Sequence, residues 1–201
     1  MVPVRSRPVS RTVAEQRAHL MREIVETLLF VGLVFVIVHF TIQSYSISGT
    51  NMAPELKPGQ IVVVNRVAYL IGNPGRGDVV LVVDPSDPHL KKQLLERVIA
   101  VPGDTIEVTA SHILVNGVTL NEPYVHIAAG VSENPVILPP QKLGKSQYFV
   151  LNDNRLSTED SRSFGPVDGS NILGKAVVIF WPLSQFSGIN NFSGVFHGVG
   201  K

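Results

Sequence analysis

Between Thr27 and Ile47 the chain carries no formally charged residue, and Leu28 to Val38 is apolar without a break. A helix needs about 20 largely apolar residues to cross ~30 Å of hydrocarbon, and this stretch reaches that length. It is apolar all round rather than striped, which suits lipid better than the surface of a soluble core. A cleaved signal peptide would end in a small-x-small exit, which Gln43-Ser44-Tyr45-Ser46 fits poorly. A buried core helix would need partner elements that the preceding residues do not supply. His39 reads as a neutral side chain near the interface. Residues 1–22 hold Arg5, Arg7, Arg11, Arg17 and Arg22 against Glu15, with Pro3, Pro8 and Ser10 opposing helix in the first half. The positive-inside rule places this end in the cytoplasm. The expectation is therefore a cytoplasmic basic tail over 1–22, a transmembrane helix over 23–43 in the cytoplasmic (inner) membrane, and an extracytoplasmic domain over 44–201.

Composition narrows the chemistry. Charged residues are 16%, below the ~25% of ordinary soluble domains, in keeping with a membrane segment. A net charge of +1 gives no electrostatic basis for binding nucleic acid. With no cysteine there is no disulfide framework, thiol nucleophile or thiolate metal site. The histidines at 19, 39, 89, 112, 126 and 197 lack metal-ligand spacing, and no glycine loop suited to phosphate is present, so no metal and no cofactor is expected.

Beyond the apolar run come short β-branched segments separated by turns. Gln60 to Asn65, Val79 to Val83, Leu94 to Val101, Thr105 to Val108, His112 to Val115, Val118 to Leu120, Tyr148 to Leu151 and Ile172 to Trp181 read as strands. Asn116-Gly117 is a hairpin turn pair. Residues 128–143 read as loop, and the stretch from Ser184 as a tail that frays. Strands at this spacing without helical patterns between them predict a mainly β domain of antiparallel sheets, sandwich-like or barrel-like.

The segment Ile47-Ser48-Gly49-Thr50-Asn51-Met52-Ala53-Pro54 resembles the nucleophile box of the type I signal peptidases, membrane-anchored serine endopeptidases with a Ser-Lys dyad. Further segments follow in that family's order: Arg76-Gly77-Asp78, Glu96 to Asp104, Val115-Asn116-Gly117, Asn121-Glu122-Pro123-Tyr124, Asn152 to Arg155, Asp160 to Gly165, Ile172 to Ala176 and Trp181-Pro182. Together they cover nearly all of residues 24–182. The resemblance implies an antiparallel β domain behind one N-terminal transmembrane helix.

In that family a serine stands at position 51 and a lysine, kept neutral by burial, stands at position 96 as its general base. This chain has Asn51 and Glu96. An amide has no hydroxyl to deprotonate. Lys91 and Lys92 are near in sequence but too far along an extended strand to stand in. Thr50 with Glu96 offers a shifted pair only if the register moves by one residue, and ~1 Å of misplacement can cost about 10²-fold. An Asn51–Glu96 hydrogen bond would satisfy a buried acid; alternatively both side chains turn to water. By resemblance, Gly49, Thr50, Met52 and Pro54 surround the oxyanion hole and binding groove. Asp153, Asn154, Arg155, Asp160, Ser161 and Arg162 form a supporting polar network, with Asn152 in place of a family glycine in a left-handed turn. Thr158 keeps a hydroxyl where a family serine assists the lysine.

Three functional classes follow. One is a catalytically silent homologue that binds extended peptide or signal-peptide segments of secreted proteins at a sheet edge. The second is an active signal peptidase with shifted residues. The third is a membrane scaffold pairing with an active signal peptidase or with the translocation machinery.

Overall fold

The computed structural model describes residues 13–86, 89, 92–125 and 136–200. Arg5, Arg7, Arg11, Lys91 and His126 fall outside them. The chain divides into two units, residues 1–40 and 41–201. The first is helix α1, Val13–Thr41. The helix over Glu15–Thr41 is long and apolar enough to cross a membrane, its most apolar 18-residue window having a mean hydropathy of 2.3. The helix starts ten residues before the expected boundary at 23, so Arg17 and Arg22 lie on it rather than in a tail. Its ladder is closed there by local pairs such as Arg22 with Glu26, 2.7 Å apart.

The second unit begins with β1 (Ile42–Ser46) and β2 (Ile61–Asn65), which pair antiparallel. A single-turn helix α2 (Ala68–Ile71) precedes β3 (Val79–Val83) and the long β4 (Gln93–Ala100). Then come β5 (Thr105–Val108), β6 (Ile113–Val115), β7 (Val118–Thr119), β8 (Leu138–Lys142) and β9 (Gln147–Leu151). The short helix α3 (Ser161–Phe164) leads to β10 (Val167–Asp168), β11 (Ile172–Trp181) and β12 (Ser187–Gly188).

The larger sheet has the order β1-β2-β11-β3-β4-β9-β10, with β12 beside β11; the smaller has the order β7-β6-β5-β8. Among the described residues the strand pairings are antiparallel, as the run of β-branched segments predicts. Asn116 and Gly117 both take positive φ, 52° and 79°, which is the two-residue turn that matches strand twist.

β8 lies where the sequence reads as loop. It contains Pro139 and Pro140, which cannot donate to a ladder, and it survives because it is an edge strand paired only with β5. The chain beyond Ser184 does not fray. Phe196 and Val199 are buried against Ile99, Phe149 and Leu151, and Arg76 donates to the carbonyls of Val199 and Gly200.

Burial along β4 decides what surrounds the site. Leu95 packs with Ile47, Met52 and Leu81, whereas Leu94 and Val98 pack with Val80, Val82 and Val150. Side chains alternate across a strand, so Glu96 projects to the same face as Leu94 and Val98.

Candidate functional site

The turn between β1 and β2 carries the residues singled out from sequence. Leu56 N–H donates to Met52 O at 2.8 Å, and Met52 and Leu56 are both buried, so the turn hangs on two apolar anchors. Its exposed crest is held from the other side by Asn154. That residue donates its backbone N–H to Asn51 O at 2.9 Å and its side-chain amide to Thr50 O at 3.1 Å. Gly49, Thr50 and Pro54 are exposed, and Asn51 is half-buried. The Asn51 amide folds back over Gly49, its Oδ1 3.7 Å from where a Cβ would stand.

Asn51 opens onto a groove of about 240 Å³ lined by Tyr45, Ile47, Met52, Lys92, Leu95 and Glu159, among others. Its walls are two strands that are not neighbours in the sheet. β4 pairs with β3 from Gln93 to Arg97 but with β9 only from Arg97 onward. The start of β4 therefore has an open backbone edge. Lys92 O accepts from Asp84 N–H on the β3 side, so the next carbonyl, Gln93 O, points the other way. There it accepts the Tyr45 hydroxyl of β1 at 3.0 Å, and the Gln43 and Gln93 amides meet at 3.2 Å.

Glu96 does not line this groove. It is fully buried, and neither carboxylate oxygen has a hydrogen-bond partner. Both ways of accommodating it considered above are corrected: no Asn51–Glu96 hydrogen bond forms, and Glu96 does not turn to water. The cause is the strand alternation that aims it between Leu94 and Val98. Burial pushes its pKa well above the usual carboxylate range, and the Asp160, Asp84 and Glu159 carboxylates push further; Arg162 opposes them weakly because Asp160 already engages it. Burial therefore favours the protonated, uncharged form of this acid.

Behind the groove lies the polar network. Asp160 caps α3 by accepting from Arg162 N–H at 3.0 Å and pairs with the Arg162 guanidinium at 2.7 Å. Ser161 Oγ accepts from Val150 N–H at 3.0 Å, fixing α3 to β9. Arg155 pairs with Glu122 at 2.6 Å, and Arg97 with Asp153 at 2.7 Å. Asn152 is not left-handed: among the described residues only Asn116 and Phe192 are non-glycines at positive φ. Asn152 is buried instead, its amide donating to Ser157 Oγ and Glu159 O. Thr158 is exposed.

Sequence reasoning passed over Tyr45 and Glu159, and discounted Lys92. Lys92 and Glu159 form an ion pair at the groove, which holds the Lys92 ammonium in its charged form. Their separation of 67 positions leaves no local signal that they meet. Among the described residues no cluster of His, Cys, Asp or Glu is arranged to hold a metal.

Known proteins resemble this chain over most of its length. The family model described as Signal peptidase, peptidase S26 matches residues 20–181. Signal peptidase IB of Staphylococcus aureus (strain COL) is 35% identical over 190 residues, covering 86% of this chain and 96% of the relative. Signal peptidase I of Leptolyngbya laminosa is 32% identical over 151 residues, covering 73% and 72%. The crystal structure of a signal peptidase I from Enterococcus faecalis V583 aligns with a TM-score of 0.42 at 26% identity, over 52% of this chain and 97% of that one. The family model over residues 20–181 and the relatives at 35% and 32% identity show that the chain belongs to the signal peptidase family, peptidase S26.

Proposed function

We propose that this protein is a membrane-anchored signal peptidase homologue that holds extended segments of secreted proteins, signal peptides included, without cutting them. Helix α1 is the anchor, with its N-terminus in the cytoplasm and the β domain on the outer face. The observation that carries the reading is the pair of substitutions in its setting. Asn51 has no hydroxyl to attack a carbonyl, and Glu96 is sealed in the core with no hydroxyl bonded to it. Nucleophile and base are normally worth so much that removing either leaves only roughly 10³–10⁴-fold acceleration over water. Binding is a separate matter. The open edge of β4 offers the backbone groups of Leu95 and the N–H of Gln93 to an added strand, the Gln93 carbonyl already accepting the Tyr45 hydroxyl, and a backbone N–H at position 51 does not depend on a serine side chain.

The test uses the full-length chain in detergent with a fluorescent signal-peptide segment and a complete preprotein. The expected result is saturable binding of the segment with the preprotein left whole. Cleavage that disappears in Thr50→Ala or Glu96→Ala would instead establish an active peptidase with shifted residues.

A further inference from the structure

The groove has two unlike ends. Near Asn51 the floor is apolar, because Ile47, Met52 and Leu95 are buried there. At the other end stand Tyr45, Gln93 and the Lys92–Glu159 ion pair. Those two charged side chains are 46% and 45% exposed, so solvent screens their attraction and the pair opens at little cost.

Which partner a ligand would replace follows from the surrounding charges. Arg162 is held elsewhere: its Nε and Nη2 donate to Asp160, Nη2 also to Ser157 O, and Nη1 to Arg155 O. Among the described residues Lys92 is the cation lining this end of the groove, and the Glu159 and Asp84 carboxylates both act on it. Asp84 is itself buried and bonded to the backbone and hydroxyl of Ser86, so it stays in place. Glu159 sits on the exposed rim, so it is the carboxylate that a ligand can reach.

We infer that the charged end of the groove selects extended peptides with a basic side chain, lysine or arginine, placed over Glu159. The inference rests on the groove-binding reading above and names the ligand class it takes. The incoming cation shares or displaces Lys92 at Glu159, while the ligand backbone runs along the open edge of β4. An acidic side chain at the same place meets Glu159 and Asp84 and is disfavoured.

The experiment scans a single lysine, and separately a single glutamate, through a labelled neutral octapeptide, with binding to the full-length chain in detergent read by fluorescence anisotropy. The expected result is a gain of about threefold to fivefold for lysine at one position only, with glutamate there weakening binding. The gain shrinks as salt is raised, because the charges are exposed. Glu159→Gln abolishes the gain, read within that variant as the ratio of lysine-peptide to neutral-peptide affinity, while Lys92→Gln enlarges that ratio by removing the competing cation. A flat lysine scan with the neutral peptide still bound overturns the charge preference alone. Failure of every peptide to bind overturns the groove reading with it.

Discussion

Arg97 grips Asp153 through two hydrogen bonds, Nε to Oδ1 at 2.8 Å and Nη2 to Oδ2 at 2.7 Å, with both side chains withdrawn from solvent. The remaining Nη1 donates to Gly77 O at 2.8 Å and to Asn190 O at 2.9 Å. The guanidinium also lies over the Tyr124 ring, 4.4 Å from its centroid. One side chain on β4 thus ties the loop that carries the polar network to the C-terminal segment.

Removing one partner of such a pair leaves a buried charge uncompensated. Asp153→Ala is expected to lower stability by about 3–5 kcal/mol, read as a shift in the urea midpoint. The double replacement Arg97→Met with Asp153→Leu should cost less than the single change, because no charge is then stranded. Equal losses in the two variants would show that the pair acts through packing alone.

Glu96 makes stability depend on pH in a definite direction. Its folded-state pKa is raised by burial, so the folded chain retains a proton that the unfolded chain has lost above the usual glutamate range. Its contribution is fully present in acid and is lost as pH rises through the raised pKa. Glu96→Leu should stabilise the protein by about 1–3 kcal/mol near neutral pH, where an unpartnered buried polar group is removed. It should also flatten the fall in stability on the alkaline side. Thermal melts across that range, with identical slopes for both proteins, would refute the assignment.

The chemistry at positions 51 and 96 can be put back. Asn51→Ser together with Glu96→Lys should give preprotein cleavage at least about 10³-fold above the unmodified chain, since the two groups act as a unit. Either change alone should stay near background. A double variant that binds signal peptide yet never cleaves it would mean that restoring these two side chains is not sufficient for cleavage.

Gly77 has φ +88°, and a Cβ there would lie 2.0 Å from Asn191 O. Because the obstruction is backbone, no side-chain rotation relieves it. Gly77→Ala should destabilise the domain by more than 1 kcal/mol, on the order of the strain stored at such positions. It should also expose the segment that carries Phe192 to limited proteolysis. Unchanged proteolysis would show that the C-terminal segment is held independently of that contact.

Much of this architecture was readable from residues alone because the signals are local. The apolar run of Leu28 to Val38 demands lipid or a core, Asn116-Gly117 supplies the two left-handed positions of a hairpin, and β4 is an apolar run bounded by turns. The same local chemistry misled at Pro139-Pro140, where an edge position removes the usual objection to proline. It misled again after Ser184, where a glycine- and serine-rich stretch is pinned by Arg76, Arg97 and two buried apolar side chains.

What the residues by themselves determined is which groups stand at the two positions: an amide at position 51 and a carboxyl group at position 96, and no fold can turn these into a hydroxyl and an amine. What only the tertiary structure decided is where those groups end up. The curl that brings Tyr45 to Gln93, 48 positions away, and Lys92 to Glu159 is set by pairings across the whole sheet. Strand alternation then seals Glu96 among apolar neighbours while leaving Asn51 at the groove, because facing is a property of the packed sheet and not of the residue.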